Sequence, residues 1–219
     1  GAPTANMYGM KGKNPELCAK CRRKSCLFPG PCKNMDRSHE RLLKLYSRIA
    51  DIKGIRHAYI GSGIRYDLFL DEDGFVDETS YPYLKELILE HTSGRLKVAP
   101  EHTEDSVLKL MAKPSFKLFE RLRVEFDKIV RSSGRRCELV PYFISGHPGC
   151  GMREMQRLAR KPALQGLYMD QVQDFTPTPM TTSSVMYYTG LDPKNLEKVF
   201  VERDIARKKE QKSFFFRRG

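Results

Sequence analysis

The chain has 219 residues, of which 40% are hydrophobic and 30% charged, with a formal net charge of +12. This composition excludes a wholly disordered chain, and the length suits one domain with a small appendage and a sizeable core. No run of about 18 apolar residues occurs, which excludes a transmembrane helix. The opening stretch GAPTANMYGMKGK has no apolar core of a signal peptide, so a cytoplasmic chain is expected.

The positive charge belongs to the two ends. Residues 1–57 carry 13 basic and 4 acidic side chains, and residues 202–219 carry 7 and 3, whereas the middle is nearly neutral. Basic ends attract phosphates. The aromatic residues do not alternate with the basic ones as a base-stacking platform requires, and the three phenylalanines at 214–216 are clustered. Three segments follow: a Cys-rich basic stretch over 1–36, an α/β portion over 37–190 and a basic tail over 191–219.

Four of the six cysteines, Cys18, Cys21, Cys26 and Cys32, fall within CAKCRRKSCLFPGPC. Without a secretion signal, a disulfide framework is a poor reading. Four thiolates this close suit one zinc ion or iron–sulfur cluster, because both prefer soft tetrahedral sulfur donors. Pro29, Gly30 and Pro31 bend the chain back toward the first pair, and Lys20, Arg22, Arg23 and Lys24 favour thiolate over thiol. Cys137 reads as core, and Cys150 follows a Pro-Gly turn.

Helix and strand signals then alternate. Leu42, Leu45, Tyr46 and Ile49 mark a helix over 40–50 behind Ser38, and IRHAYI at 55–60 reads as a strand ending in Gly61-Ser62-Gly63. Ser80 caps a helix over 81–91, and RLKVA at 95–99 is the second strand. Thr103 starts a helix to Met111, and Ser115 a longer one with Phe116, Phe119, Leu122, Phe126, Ile129 and Val130 on one face. CELVPYFI at 137–144 is the third strand, Met152–Arg160 a helix and QVQDF at 171–175 the fourth strand. From TPTPM onward the tail reads as loop-rich and then polar. This alternation predicts four adjacent parallel strands in chain order with helical crossovers, too few to close an eight-stranded barrel.

In parallel α/β folds the chemistry gathers at the carboxyl ends of the strands. That rule selects Ser62, Gly63 and Arg65, then Glu101 and His102, then Ser145, Gly146 and His147, and last Asp174. Small residues admit a ligand close to the backbone. Arg65 suits a carboxylate or phosphate, Glu101 an amine or ribose, and the two histidines proton transfer. The plainer roles are an Arg65–Glu101 ion pair, a helix start at His102 and an ordered turn at His147.

The segments NPELCAKCRRKSCLFPGPCKNM, YIGSGIRYDLFL, SGRLKVAPEHTEDSVLKLM, LVPYFISGHPGCG and DQVQDFTPTPMTTSSVMYYTGLDP, with GAPTANMYGM before them, resemble the YgiQ-type radical S-adenosylmethionine (radical SAM) family. The resemblance covers nearly the whole chain. It implies a partial parallel (β/α) barrel, here about four βα units behind a Cys-rich loop, working with a 4Fe–4S cluster and S-adenosylmethionine on an unidentified substrate. In that reading Arg65, Glu101, His102 and His147 are the catalytic candidates. Ser62, Gly63, Glu101, Ser145, Gly146 and Asp174 are those for the cofactor. The cofactor supplies a 5′-deoxyadenosyl radical, and the barrel positions it. The family's cluster signature, CxxxCxxC, does not occur in this sequence. The expectation is therefore a later portion of such an enzyme, inactive alone, with the main cluster held outside this chain. The four cysteines at 18–32 are expected to hold a second metal or cluster. The competing function is a four-cysteine metal module that grips RNA, with the α/β part as scaffold. Neither reading involves a membrane.

Overall fold

The computed structural model describes residues 5–169 and 171–215. The sequence expectations touching residues 1–4, Asp170 and 216–219 lie outside the described residues. The chain divides into two compact units, residues 1–99 with 117–139 and residues 100–116 with 140–219. In chain order the elements are α1 (Pro15–Ala19), α2 (Glu40–Ala50), β1 (Leu70–Asp71), β2 (Gly74–Phe75), α3 (Ser80–Glu90), β3 (Arg95–Glu101), α4 (Asp105–Leu110), α5 (Phe116–Ser133), β4 (Glu138–Ser145), α6 (Met152–Ala159), β5 (Val172–Asp174), α7 (Thr182–Thr189) and α8 (Ile205–Ser213). The principal sheet is parallel and three-stranded, in the order β3–β4–β5, with Phe143, Ile144 and Ser145 in register with Val172, Gln173 and Asp174.

The second, third and fourth expected strands are thus present, adjacent and in chain order. The first is not. Residues 55–60 are irregular, with Ile55 and Tyr59 exposed. A strand needs a ladder, and here the backbone of this segment makes only scattered bonds, such as Ile60 N–H to the His91 carbonyl at 2.9 Å. A single parallel bridge, Ile64 to Val98, stands where the expected strand would have joined its neighbour. The tail also differs from its loop-rich reading, because α7 and α8 both lie in it. A small antiparallel hairpin, β1 with β2, was not legible either.

In the first unit the helices bury the faces their periodicity marks. α2 buries Leu42 and Tyr46, α3 buries Tyr83, Leu84, Leu87 and Ile88, and α5 buries Phe119, Leu122, Phe126 and Ile129. The start of α3 is fixed by a residue the sequence reading passed over. Asp77 accepts from the Thr79 N–H at 3.0 Å, the Thr79 hydroxyl at 2.7 Å and the Ser80 hydroxyl at 2.8 Å. Burial raises the Asp77 carboxyl, but these donors outweigh it and hold it below its ordinary value. The hairpin is clamped from two sides. Arg37 forks onto Asp71 at 2.9 and 2.7 Å, and Arg121 donates to the Glu72 and Asp73 carbonyls at 2.6 and 3.1 Å.

His39, at the head of α2, is 1% exposed and stacks on Tyr83 at 4.1 Å with Phe69 edge-on at 5.8 Å. Neither ring nitrogen has a hydrogen-bond partner. Burial pushes its pKa from 6.5 down to about 4, against a weaker upward pull from Asp77. Between those two values the unfolded chain takes up a proton that the folded one refuses. The His39 contribution to stability is therefore complete above about pH 6.5, falls as the pH drops toward about 4 and levels off below. The slope is at most roughly 1.4 kcal/mol per pH unit for one proton. The His39→Phe variant keeps the ring stack without the proton. Chemical unfolding at a series of pH values is expected to give it a shallower acid decline than the parent, and equal slopes would disprove this account.

Candidate functional site

The second unit gathers its polar residues at the carboxyl ends of the strands. β3 ends on Glu101, whose φ of 67° is unusual for a residue with a side chain. Its carboxylate pairs with the Lys113 ammonium at 2.9 Å, both side chains being largely shielded. β4 ends on Ser145, whose hydroxyl donates to the Asp174 carboxylate at the end of β5 at 2.7 Å. Lys212, on α8, stands 3.7 Å from the other Asp174 oxygen. A cleft of about 370 Å³ opens here, walled by Glu101, Lys113, His147, Asp174, Ser183 and several threonines, with Ile144 and Phe175 as apolar surfaces.

His147 is the best-defined group on the cleft wall. Its Nδ1 lies 2.8 Å from the Pro148 carbonyl, which can only accept, so Nδ1 carries the proton. Nε2 is then the acceptor for the Ser183 hydroxyl at 2.8 Å. The Phe175 ring stands edge-on at 4.9 Å. Burial lowers the His147 pKa to about 4, so the ring is neutral at ordinary pH and holds a lone pair toward Ser183. Ser183 occupies the first turn of α7, behind the capping hydroxyl of Thr181, which accepts from the Ser184 N–H at 3.2 Å.

His102 has a different role. It is fully buried, its Nδ1 accepts from the Glu104 N–H at 3.0 Å, and its Nε2 faces the Cys150 sulfur at 3.4 Å. Burial, helped by the neighbouring His147, lowers its pKa to about 3. The ring starts α4 and is not on the cleft wall. Burial pushes the Cys150 thiol up to about 12, so it is no nucleophile. Gly146, with φ of 66°, donates its N–H to the buried Gln211 of α8 at 3.1 Å. Gly149 is needed as glycine, since a Cβ there would lie 2.3 Å from a Leu110 methyl at φ of 85°.

Glu101, His102, Ser145, Gly146, His147 and Asp174 therefore sit around the ends of one set of strands, as expected. Ser62, Gly63 and Arg65 belong to the first unit. There Ser62 is exposed, and Arg65 pairs with Asp67, its Nε donating at 3.0 Å. In place of the ion pair expected between Arg65 and Glu101 stand two others, Arg65–Asp67 and Glu101–Lys113. Two-residue proximity explains the first, because Asp67 lies on the short helical turn that Arg65 itself begins. The backbone of Arg65 is held by the buried Asn6 amide, at 2.7 and 2.9 Å. The sequence reading missed Lys113, Ser183, Gln211 and Lys212. The hydroxyl run TPTPMTTSS was the available signal for Ser183, whereas the others depend on α8 and on the turn after α4.

The four-cysteine loop belongs to the first unit. Among the described residues, no three His, Cys, Asp or Glu side chains are arranged to hold a metal ion. The expected gathering of the Cys18, Cys21, Cys26 and Cys32 sulfurs is thus not found in this arrangement. The first two sulfurs have local partners instead: Cys18 Sγ accepts from the Asn34 amide at 3.2 Å, and Cys21 Sγ from the Arg23 N–H at 3.4 Å. Among the described residues no helix is long and apolar enough to cross a membrane.

Comparison with known proteins finds relatives along nearly the whole chain. A family model described as a domain of unknown function, DUF3362, matches residues 170–218. A UPF0313 protein of Bacteroides thetaiotaomicron is 47% identical over 218 residues, covering 99% of this chain and 35% of the relative. UPF0313 proteins of Porphyromonas gingivalis and Methanosarcina mazei are 43% and 42% identical, over 99% and 100% of this chain and 34% of each relative. The chain spans about a third of the length of these curated relatives. Over that third it is strongly similar to UPF0313 proteins from both bacteria and archaea.

Proposed function

We propose that this chain is a later portion of a radical SAM enzyme and that the cleft of its second unit binds S-adenosylmethionine. The observation that carries the reading is the polar cleft at the carboxyl ends of parallel strands, where Glu101, His147 and Asp174 stand together. The residues present suit the cofactor. It carries an ammonium, a carboxylate, two ribose hydroxyls and a planar base, and the cleft has two carboxylates, one ammonium, several hydroxyls and the Phe175 ring. The bound cofactor, with a cluster held by cysteines outside this chain, supplies radical chemistry. This chain's own residues bind and orient. The Asp174 carboxylate, preset by the Ser145 hydroxyl, accepts from an ammonium or ribose hydroxyl. Lys113, preset by Glu101, receives a carboxylate. The neutral His147 holds the Ser183 hydroxyl in one orientation toward bound ligand. The substrate is unidentified.

Calorimetry with the 219-residue chain tests the binding part. Asp174→Ala is expected to weaken S-adenosylmethionine at least about tenfold, the loss of one charge-assisted hydrogen bond and its desolvated partner. Exchange of the exposed Lys128 for Ala is expected to change nothing. Equal affinities for the parent and Asp174→Ala would remove the cleft from the proposal.

The catalytic part has a separate readout. The chain has no CxxxCxxC triplet, so after anaerobic reconstitution with iron and sulfide and then reduction it is expected to release no 5′-deoxyadenosine. A whole UPF0313 relative treated identically is expected to release it. Release by the chain alone that vanishes on Cys18→Ala would move the catalytic cluster to the local cysteines.

A further inference from the structure

From Met7 through Ser38 no residue is buried, a run of 32 residues without a core. Segments that bury so little apolar surface need another source of order, commonly a disulfide set or a structural metal. This run is nevertheless built to a definite shape. Its stem is an antiparallel bridge between Gly12 and Met35, reinforced by Lys13 N–H to the Asn34 carbonyl at 2.7 Å and Asp36 N–H to the Lys11 carbonyl at 2.8 Å. Asn14 caps α1 by accepting from the Glu16 and Leu17 N–H groups, and Asn34 holds the Asn14 backbone on both sides at 2.9 Å. At the far end the Arg23 guanidinium gathers the carbonyls of Ser25, Phe28 and Gly30 at 3.2, 3.3 and 2.6 Å.

The cysteines sit on this frame in two pairs. Cys21 N–H bonds the Cys18 carbonyl at 3.1 Å, which closes the CxxC into a single turn, and Cys32 N–H bonds the Cys26 carbonyl at 2.7 Å, which closes the longer loop between the second pair. Two sulfurs already receive N–H donors, Cys18 from Asn34 and Cys21 from Arg23. Gly12 provides the seat for Cys18, since a Cβ there would lie 2.3 Å from its sulfur. The loop's Lys20, Arg22, Lys24 and Lys33 offset the negative charge that a tetrathiolate centre carries.

We propose that Cys18, Cys21, Cys26 and Cys32 close on one zinc ion, and that this ion takes the place of a core for residues 7–38. The sulfurs move inward on binding, so metal uptake and tightening of the loop are one event. Four thiols lose four protons as four zinc–sulfur bonds form, with no change of oxidation state. The centre is structural and belongs to the first unit. It stands or falls independently of the radical SAM reading.

The reduced, metal-stripped 219-residue chain, titrated anaerobically with Zn²⁺ and then desalted, is expected to retain about one ion per chain. Cobalt in its place should give thiolate-to-metal charge-transfer absorption. Tryptic cleavage after Arg22, Arg23 and Lys24 should slow at least about tenfold with zinc and recover with chelator. The double change Cys18→Ser with Cys21→Ser should abolish uptake, and Gly12→Ala should weaken it, while Cys137→Ser leaves it intact. Far-ultraviolet circular dichroism checks that each variant remains folded. Retention of an iron–sulfur cluster by the same four cysteines would sustain the site and change only its metal. Failure to retain any metal, or retention unaffected by the double change, would overturn the proposal.

Discussion

His102 is fully buried in the second unit, and both of its ring nitrogens are occupied. A charged imidazole in that place would have to leave water without a counter-ion, so burial keeps it neutral, with a pKa near 3. The neutral ring then reaches the Glu104 N–H on one side and the Cys150 sulfur on the other. It thereby joins the end of β3 to the turn after β4, and the cleft residues on those same ends inherit their positions. Glu101 lies one residue before it and His147 three before Cys150. The left-handed backbone of Glu101 is tolerated because the residue that follows is locked.

α8 completes the arrangement from the other side. Its Gln211 receives the Gly146 N–H, its Lys212 approaches Asp174, and its Lys208 ammonium lies over the Tyr187 ring at 4.7 Å while donating to that hydroxyl at 3.0 Å. A helix that is polar nearly all round usually faces solvent. Here its polar side chains are the packing. This is why the tail read as a solvated basic segment: nothing in the spacing of IARKKEQKS separates a glutamine that satisfies a glycine N–H from one that meets water.

Legibility followed the physics of each element. α3 and α5 were readable because one face of each is apolar at helical spacing, and β4 because a buried parallel strand is apolar throughout. The stretch 55–60 has the same local look but no ladder partner, and pairing is not a property of one segment. The residues at the strand ends were found by a rule about parallel sheets, so the rule succeeded in the unit where those strands exist. Arg65 shows where it stops, since a guanidinium takes the carboxylate two residues away before any distant one. Lys113 and Ser183 were invisible for the opposite reason: each gains its meaning from a partner twelve or more positions distant.

The six cysteines differ sharply in chemical access. Cys18, Cys21 and Cys26 are exposed and Cys32 partly so, whereas Cys150 is fully buried with its thiol pushed up to about 12. At neutral pH an alkylating reagent therefore meets accessible thiols in the loop and an inert one in the second unit. That contrast gives the molecule an internal clock. Once the loop thiols have reacted, Cys137 of the first unit and Cys150 of the second remain, and the slow increment on the peptide that carries Cys150 reports openings of the second unit without any label being engineered into it.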